Sequence, residues 1–213
     1  MRLLHLLMDS VFPPRETEMI VRNTRGTYRT ALMAEPVRTG TSDCPVISLL
    51  RYEDETVQAC VLEAKFEGNM SATEILGAVL REFLFEFLSE FVPLNGSAVP
   101  VIIPLPLSRA RLRERGYNQT ARIVEVACRN LSGVEVNQNV LERVRNTAPQ
   151  TSCSGSERRT NMKNAFRAVK PCDPLRTYIV VDDVITTGNT VLAAVEALKT
   201  AGAQHILPLT LAY

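Results

Sequence analysis

Two adjacent carboxylates, Asp182 and Asp183, stand between an apolar run, Tyr178-Ile179-Val180-Val181, and a hydroxyl-and-glycine turn, Thr186-Thr187-Gly188-Asn189-Thr190. An apolar helical pattern begins at Val191. Strand, acidic pair, polar turn and helix start, in that order, suit a sugar phosphate. The first turn of a helix offers unpaired N–H donors and the positive end of its dipole to a phosphate. Carboxylates at the carboxyl end of a strand accept hydrogen bonds from a ribose diol or hold a hydrated divalent cation. Without a ligand, the same pattern is a parallel strand running into a capped helix.

A second cluster follows another short apolar run, Val99 to Leu105: Ser108, then Arg109, Arg111, Arg113 and Arg115, closed by Gly116-Tyr117-Asn118-Gln119. Arginine forks match phosphate and pyrophosphate oxygens two at a time. Two other readings stay open, a solvated basic loop and a nucleic-acid patch in which Tyr117 stacks a base. A third cluster surrounds a polar stretch, with Arg143, Arg145, Gln150, Arg158, Arg159 and Asn161. Such a loop can fold over a bound anion and exclude water, or be a plain surface excursion.

The elements that must position these groups alternate. Residues 45–52 read as a strand, and Asp54 caps a helix with Val57, Cys60, Val61 and Ala64 on one face. Ser71 and Glu74 read as a capping box for a long helix ended by Pro93 and Gly96. The arginine cluster reads as a loop, with a helix from Tyr117 to Asn130. Short strands follow at 134–136 and 140–144, then a helix from 156 or 157 to 164, a last helix stopped by Gly202, and a strand from Ile206 to Leu211. A short helix is expected at residues 2–12, and residues 15–45 carry no clear pattern. The alternation argues for an α/β fold, a mostly parallel sheet with helices on both faces. The expected division is an N-terminal appendage over 1–44 and one domain over 45–213.

Bulk properties bound the reading. The chain has 213 residues, 46% of them hydrophobic, enough for a sizeable core. A net charge of +1 gives no whole-chain argument for nucleic acid, so any basic site is local. The five cysteines form no C-x-x-C pair, which argues against a zinc ribbon and for free thiols in a reducing compartment. No signal-peptide core and no apolar run of membrane-spanning length is present, so the expected compartment is the cytoplasm, without a membrane partner.

Residues 178–190, YIVVDDVITTGNT, match at every position the phosphoribosyl diphosphate (PRPP) signature of type I phosphoribosyltransferases. More narrowly, the chain resembles the competence-associated ComF family of phosphoribosyltransferases, relatives of the amidophosphoribosyltransferases. The resemblance covers roughly Pro45 to Tyr213. It rests on Lys65-Phe66-Glu67-Gly68, Ile103 to Ser108, Arg115 to Gln119, Arg143 to Thr147 with Gln150, Arg158 with Asn161, Ala165-Phe166, and Val181 to Thr190, all in order. Many members carry a four-cysteine zinc ribbon after a Phe-Pro-Pro-Arg stretch; here Phe12-Pro13-Pro14-Arg15 is followed by Glu16-Thr17-Glu18 and no cysteine pair, so zinc is not carried over.

The resemblance implies roles. Asp182 and Asp183 would act at the ribose hydroxyls, with Mg2+ held mainly through PRPP and water. Thr186, Thr187, Gly188, Asn189 and Thr190 would bind the 5′-phosphate. Ser108, Arg109, Arg111, Arg113 and Arg115 would take the pyrophosphate. Arg143, Arg145, Gln150 and Arg158 would form the flexible loop. The expected activity is Mg2+-dependent phosphoribosyl transfer from PRPP to a small-molecule nitrogen acceptor, and a homodimer fits this reading. The alternative is a protein that binds PRPP or handles single-stranded DNA without turnover. No general base stands out; His5 and His205 are the only histidines.

Overall fold

The computed structural model describes residues 13–25, 36–41, 44–95, 98–144 and 165–213. The expected helices at 2–12 and 156–164 lie outside these residues, as do Arg145, Gln150 and Arg158 of the third cluster.

A six-stranded sheet has the order β1-β2-β8-β7-β3-β4. Its strands are β1 (Val37–Thr41), β2 (Cys44–Leu50), β3 (Val101–Pro104), β4 (Glu135–Val136), β7 (Thr177–Val184) and β8 (His205–Ala212). Only β1 runs antiparallel to its neighbour; the other pairings are parallel. Strands β5 (Leu141–Arg143) and β6 (Phe166–Ala168) form a separate antiparallel pair. The helices are α1 (Glu16–Thr24), α2 (Glu55–Leu62), α3 (Met70–Asn95), α4 (Arg109–Arg115), α5 (Gln119–Cys128) and α6 (Asn189–Thr200). A π-helical turn, Glu63–Glu67, extends α2.

Alternation along β3 and β7 sends side chains to two cores. Ile102, Ile179 and Val181 join residues of α2, α3 and α5 on one face. Val101, Ile103, Tyr178 and Val180 join Ala194 and Leu198 of α6, with Leu141 and Phe166, on the other. The mostly parallel α/β sheet covered on both faces is therefore observed. From β3 the chain moves outward to β4, and from β7 it moves outward to β8 in the opposite direction. The crevice between the carboxyl ends of β3 and β7 is thus the topological switch point, where open α/β sheets bind ligands.

Helix α1 fills part of the stretch without a clear pattern, and its Val21 is buried in the first core. Arg15, just before it, forks onto the buried Glu63 at 3.1 and 3.1 Å, while Thr17 and Asn69 donate to the same carboxylate at 2.7 and 3.0 Å. Burial alone would raise the Glu63 pKa, but these hydrogen bonds and the Arg15 charge outweigh it and lower the pKa. The π-helical turn is therefore pinned at its first residue.

Local details differ from expectation. Asn69, not Ser71, caps α3: its Oδ1 accepts from the amides of Ser71 and Ala72 at 3.0 and 3.4 Å. Asn caps as well as Ser, and here its Nδ2 also reaches Glu63. Helix α3 runs through Pro93 to Asn95, two residues past the proline expected to help close it.

Candidate active site

The acidic pair belongs to β7 itself, near its carboxyl end, rather than to the loop after it. Asp183 shares a face with Ile179 and Val181 and is buried. Its Oδ1 accepts from the Val184 amide at 2.8 Å. Its Oδ2 accepts from Gln119 Nε2 at 2.7 Å and lies 3.4 Å from Lys65 Nζ. Asp182 shares the opposite face with Tyr178 and Val180 and is half-buried. Its Oδ1 accepts from the Asp183 amide at 2.9 Å. Burial, with the neighbouring Asp183 charge adding to it, pushes the Asp182 carboxyl up to about 7.

The turn after β7 is open. Thr186 and Thr187 are exposed, and Gly188 caps α6 with φ 72°, a left-handed conformation that glycine adopts without steric cost. Among the described residues no side chain satisfies the first amides of the twelve-residue α6. Unpaired amides, two threonine hydroxyls, Asn189 and Thr190 converge at one helix N-terminus, a ready anion cradle.

The arginine cluster is the main structural correction. Arg109 to Arg115 form helix α4, not a loop, because arginine, leucine and glutamate are strong helix formers and Ser108 caps them, its Oγ accepting from the Arg111 amide at 3.3 Å. Gly116 ends α4, and Asn118 opens α5 by accepting from the amides of Thr120 and Ala121. Asn118 Nδ2 also donates to the Leu105 carbonyl at 3.0 Å, and the Leu105 amide donates to the Val181 carbonyl at 2.8 Å. These bonds fold the segment back beside β7. Arg109, Arg111 and Arg113 are exposed. Arg115 turns inward, donating to Gln119 Oε1 at 3.0 Å and lying 4.9 Å from the Phe66 ring centroid.

Arg143, at the end of β5, lies against the Phe166 ring at 5.4 Å. Burial first, then the charge of Arg111, holds its guanidinium below the ordinary range, with Asp182 opposing. Arg111 of the second cluster and Asp182 of the first thus lie near enough to act on Arg143 of the third.

Sequence reasoning missed the weight of Lys65 and gave Gln119 only a generic polar role. Both sit on Asp183. Lys65 belongs to the π-helical turn, a feature common at functional sites. The turn is tied to the start of α5 by Tyr117, whose hydroxyl donates to the Ala64 carbonyl at 3.0 Å while Arg122 lies 3.9 Å from its ring centroid.

Other reactive groups are quiet. Burial pushes the thiols of Cys60 and Cys128 up to about 12 and 11 and raises that of Cys172, and all three are free. His205 begins β8 on the surface. Among the described residues no cluster of three or more His, Cys, Asp or Glu could hold a metal, and no helix is long and apolar enough to cross a membrane.

Residues 118–213 match the phosphoribosyl transferase domain family. Competence protein F of Haemophilus influenzae is 40% identical over 107 residues, 49% of this chain and 46% of its own length. The DNA utilization protein YhgH of Salmonella typhi is 34% identical over 140 residues, 63% of this chain and 58% of its own, and that of Escherichia coli K12 is 34% identical over 134 residues with the same coverage. The matches span about half the length of these relatives. A solved structure of the allosteric regulatory enzyme of purine biosynthesis overlaps 71% of this chain and 30% of its own at 17% identity and a TM-score of 0.37, too loose a likeness to argue from.

Proposed function

We propose that this chain, a ComF-type protein of the phosphoribosyltransferase fold, binds Mg2+-PRPP in the crevice between β3 and β7 and transfers its phosphoribosyl group to a nitrogen acceptor. The observation that carries this reading is the meeting of two unlike subsites at one switch point. An acidic pair beside an open helix N-terminus suits ribose 5-phosphate, and the arginines of α4, with Arg143, suit pyrophosphate.

In this reading each group has a role. Amides and hydroxyls from Thr186 to Thr190 take the 5′-phosphate. Asp182 and Asp183 accept from the ribose hydroxyls and fix the sugar. Ser108, Arg109, Arg111 and Arg113 face the pyrophosphate. The bond from the anomeric carbon to the pyrophosphate oxygen breaks with both electrons leaving on pyrophosphate. The acceptor nitrogen forms the new bond with its lone pair and then loses a proton. The chain supplies orientation and charge stabilisation rather than a covalent intermediate.

The residues fit Mg2+. Two adjacent carboxylates, one of them pushed up to about 7 by burial and by its neighbour, favour a nearby cation, yet they are too few for an all-protein cage. That matches an ion held chiefly by diphosphate oxygens and water. When bound there, it would neutralise charge on the leaving group. Titration calorimetry of Mg2+-PRPP tests the reading: the unmodified chain binds, and Asp183→Asn weakens binding by at least roughly tenfold. Absence of binding by the unmodified chain sinks it.

A second reading draws on the exposed Arg109, Arg111 and Arg113 and on the relatives' names, which speak of competence and DNA utilization. Here α4 would hold single-stranded DNA by its phosphates. Binding of an oligonucleotide that weakens with salt, and disappears in Arg111→Ala/Arg113→Ala, would favour it; binding insensitive to salt would count against it.

A further inference from the structure

The four arginines of α4 are not equivalent. Arg109, Arg111 and Arg113 are exposed, whereas the Arg115 guanidinium reaches back one turn past the end of its helix to the Gln119 carbonyl oxygen. The Gln119 side chain is buried, and its amide nitrogen donates to Asp183 Oδ2. An amide has one accepting and one donating end. Here the accepting end is taken by Arg115 and the donating end by the carboxylate, so the orientation of Gln119 is fixed from both sides. Phe66 lies against the Arg115 guanidinium, and its neighbour Lys65 sets an opposite charge 3.4 Å from Asp183 Oδ2.

We infer that Arg115 and Gln119 are positioning residues, a relay that sets Asp183 for the ribose hydroxyls, and that Arg115 is not a pyrophosphate ligand. The inference rests on the PRPP-binding reading and refines it. Arginine suits the outer place because its planar fork binds the amide oxygen while its face rests on Phe66; lysine cannot do both. Glutamine suits the middle place because a carboxylate there would meet Asp183 as a like charge.

The test is a split between ligands. Affinities for Mg2+-PRPP, ribose 5-phosphate and Mg2+-pyrophosphate are measured by calorimetry on the full chain and on Arg115→Leu, Arg115→Lys, Gln119→Leu and Gln119→Glu, with thermal melts to verify folding. A relay predicts that Arg115→Leu and Gln119→Leu each lose roughly tenfold for both ribose-bearing ligands and keep pyrophosphate affinity. It also predicts that Gln119→Glu is worse than Gln119→Leu for the sugar, that Arg115→Lys does not rescue, and that the Leu/Leu double variant is no weaker than Gln119→Leu alone. Arg115→Lys, which keeps the charge at a half-buried position, serves as the folded probe if a Gln119 variant melts early. A loss of pyrophosphate affinity in Arg115→Leu with ribose 5-phosphate unchanged would overturn the relay, as would equal affinities throughout. If the unmodified chain binds none of the three ligands, the PRPP reading itself falls, and the relay with it.

Discussion

Asp182 and Asp183 are neighbours in sequence but serve opposite faces of β7. Asp183 is held by Gln119 and Lys65 on the face covered by α2, α3 and α5. Asp182 faces the side of α6 and the β5–β6 pair, where it opposes the charge of Arg143. One carboxylate is neutralised by contact with a lysine; the other carries the strain of burial beside a like charge.

That asymmetry sets a pH dependence. Burial first, then the Asp183 charge, pushes the Asp182 carboxyl of the folded chain up to about 7, above its ordinary 3.8. Between these values the folded chain holds a proton that the unfolded chain has released. Stability from this group is therefore fully present below about pH 4 and is lost as pH rises to about 7. Asp182→Asn removes the penalty. Its melting temperature at pH 8 should exceed that of the unmodified chain, with the gap closing toward pH 4, while Mg2+-PRPP affinity falls. Melts across this range check it, and a gap that does not change with pH would refute it.

Much of this site was legible in the sequence, for a local reason. The strand, acidic pair, turn and helix from Tyr178 to Thr190 are contiguous, so their order alone gave their placement. The contacts of Asp183 were not legible in the same way, because Gln119 lies 64 residues away and Lys65 further still. Only the sheet order brings them together. Helix α4 was misread because a dense run of arginines resembles a solvated loop, although Ser108 and Gly116 stood at its two ends as cap and stop. Glu63 gave no signal, since its partners Arg15 and Thr17 come from a stretch with no readable period.

Glu63 should be a stability hub. Glu63→Ala leaves Arg15, Thr17 and Asn69 without their shared acceptor. Removing one partner of a fully buried pair costs roughly 3–5 kcal/mol; because Arg15 is half exposed and can return to water, about 2–3 kcal/mol is expected. Glu63 has a lowered pKa, so its contribution is present above the ordinary carboxylate range and is lost as pH falls through the folded value. Urea denaturation at pH 7 should show the full difference between Glu63→Ala and the unmodified chain, and the difference should shrink in acid.

Gly188 should matter for the phosphate more than for the fold. A Cβ there finds space, its nearest neighbour being Ile185 Cδ1 at 3.5 Å, but the left-handed backbone costs about 1–2 kcal/mol for alanine. Gly188→Ala relieves that strain by turning the first amides of α6 away from the anion. The expected result is a roughly tenfold loss for ribose 5-phosphate, with pyrophosphate affinity unchanged. Unaltered ribose 5-phosphate binding would place the phosphate elsewhere.

The packing of α5, which carries Gln119, depends on one small residue. Gly77 of α3 faces Val126 of α5, and a Cβ added at Gly77 would sit 2.6 Å from Val126 Cγ1 and 3.2 Å from the Ile123 carbonyl oxygen. The helices cannot part freely, because Arg81 of α3 donates to the Ala127 and Val126 carbonyls at 2.9 and 2.5 Å. Gly77→Ala should therefore cost about 1–3 kcal/mol by overpacking, despite the better helix propensity of alanine. Val126→Ala alone should also destabilise by leaving a gap. Combined, the two changes trade volume across one contact, so the double variant should be more stable than the sum of the single losses by about 1 kcal/mol or more. Chemical denaturation of the four proteins closes the cycle, and strict additivity would mean that the helices separate instead of clashing.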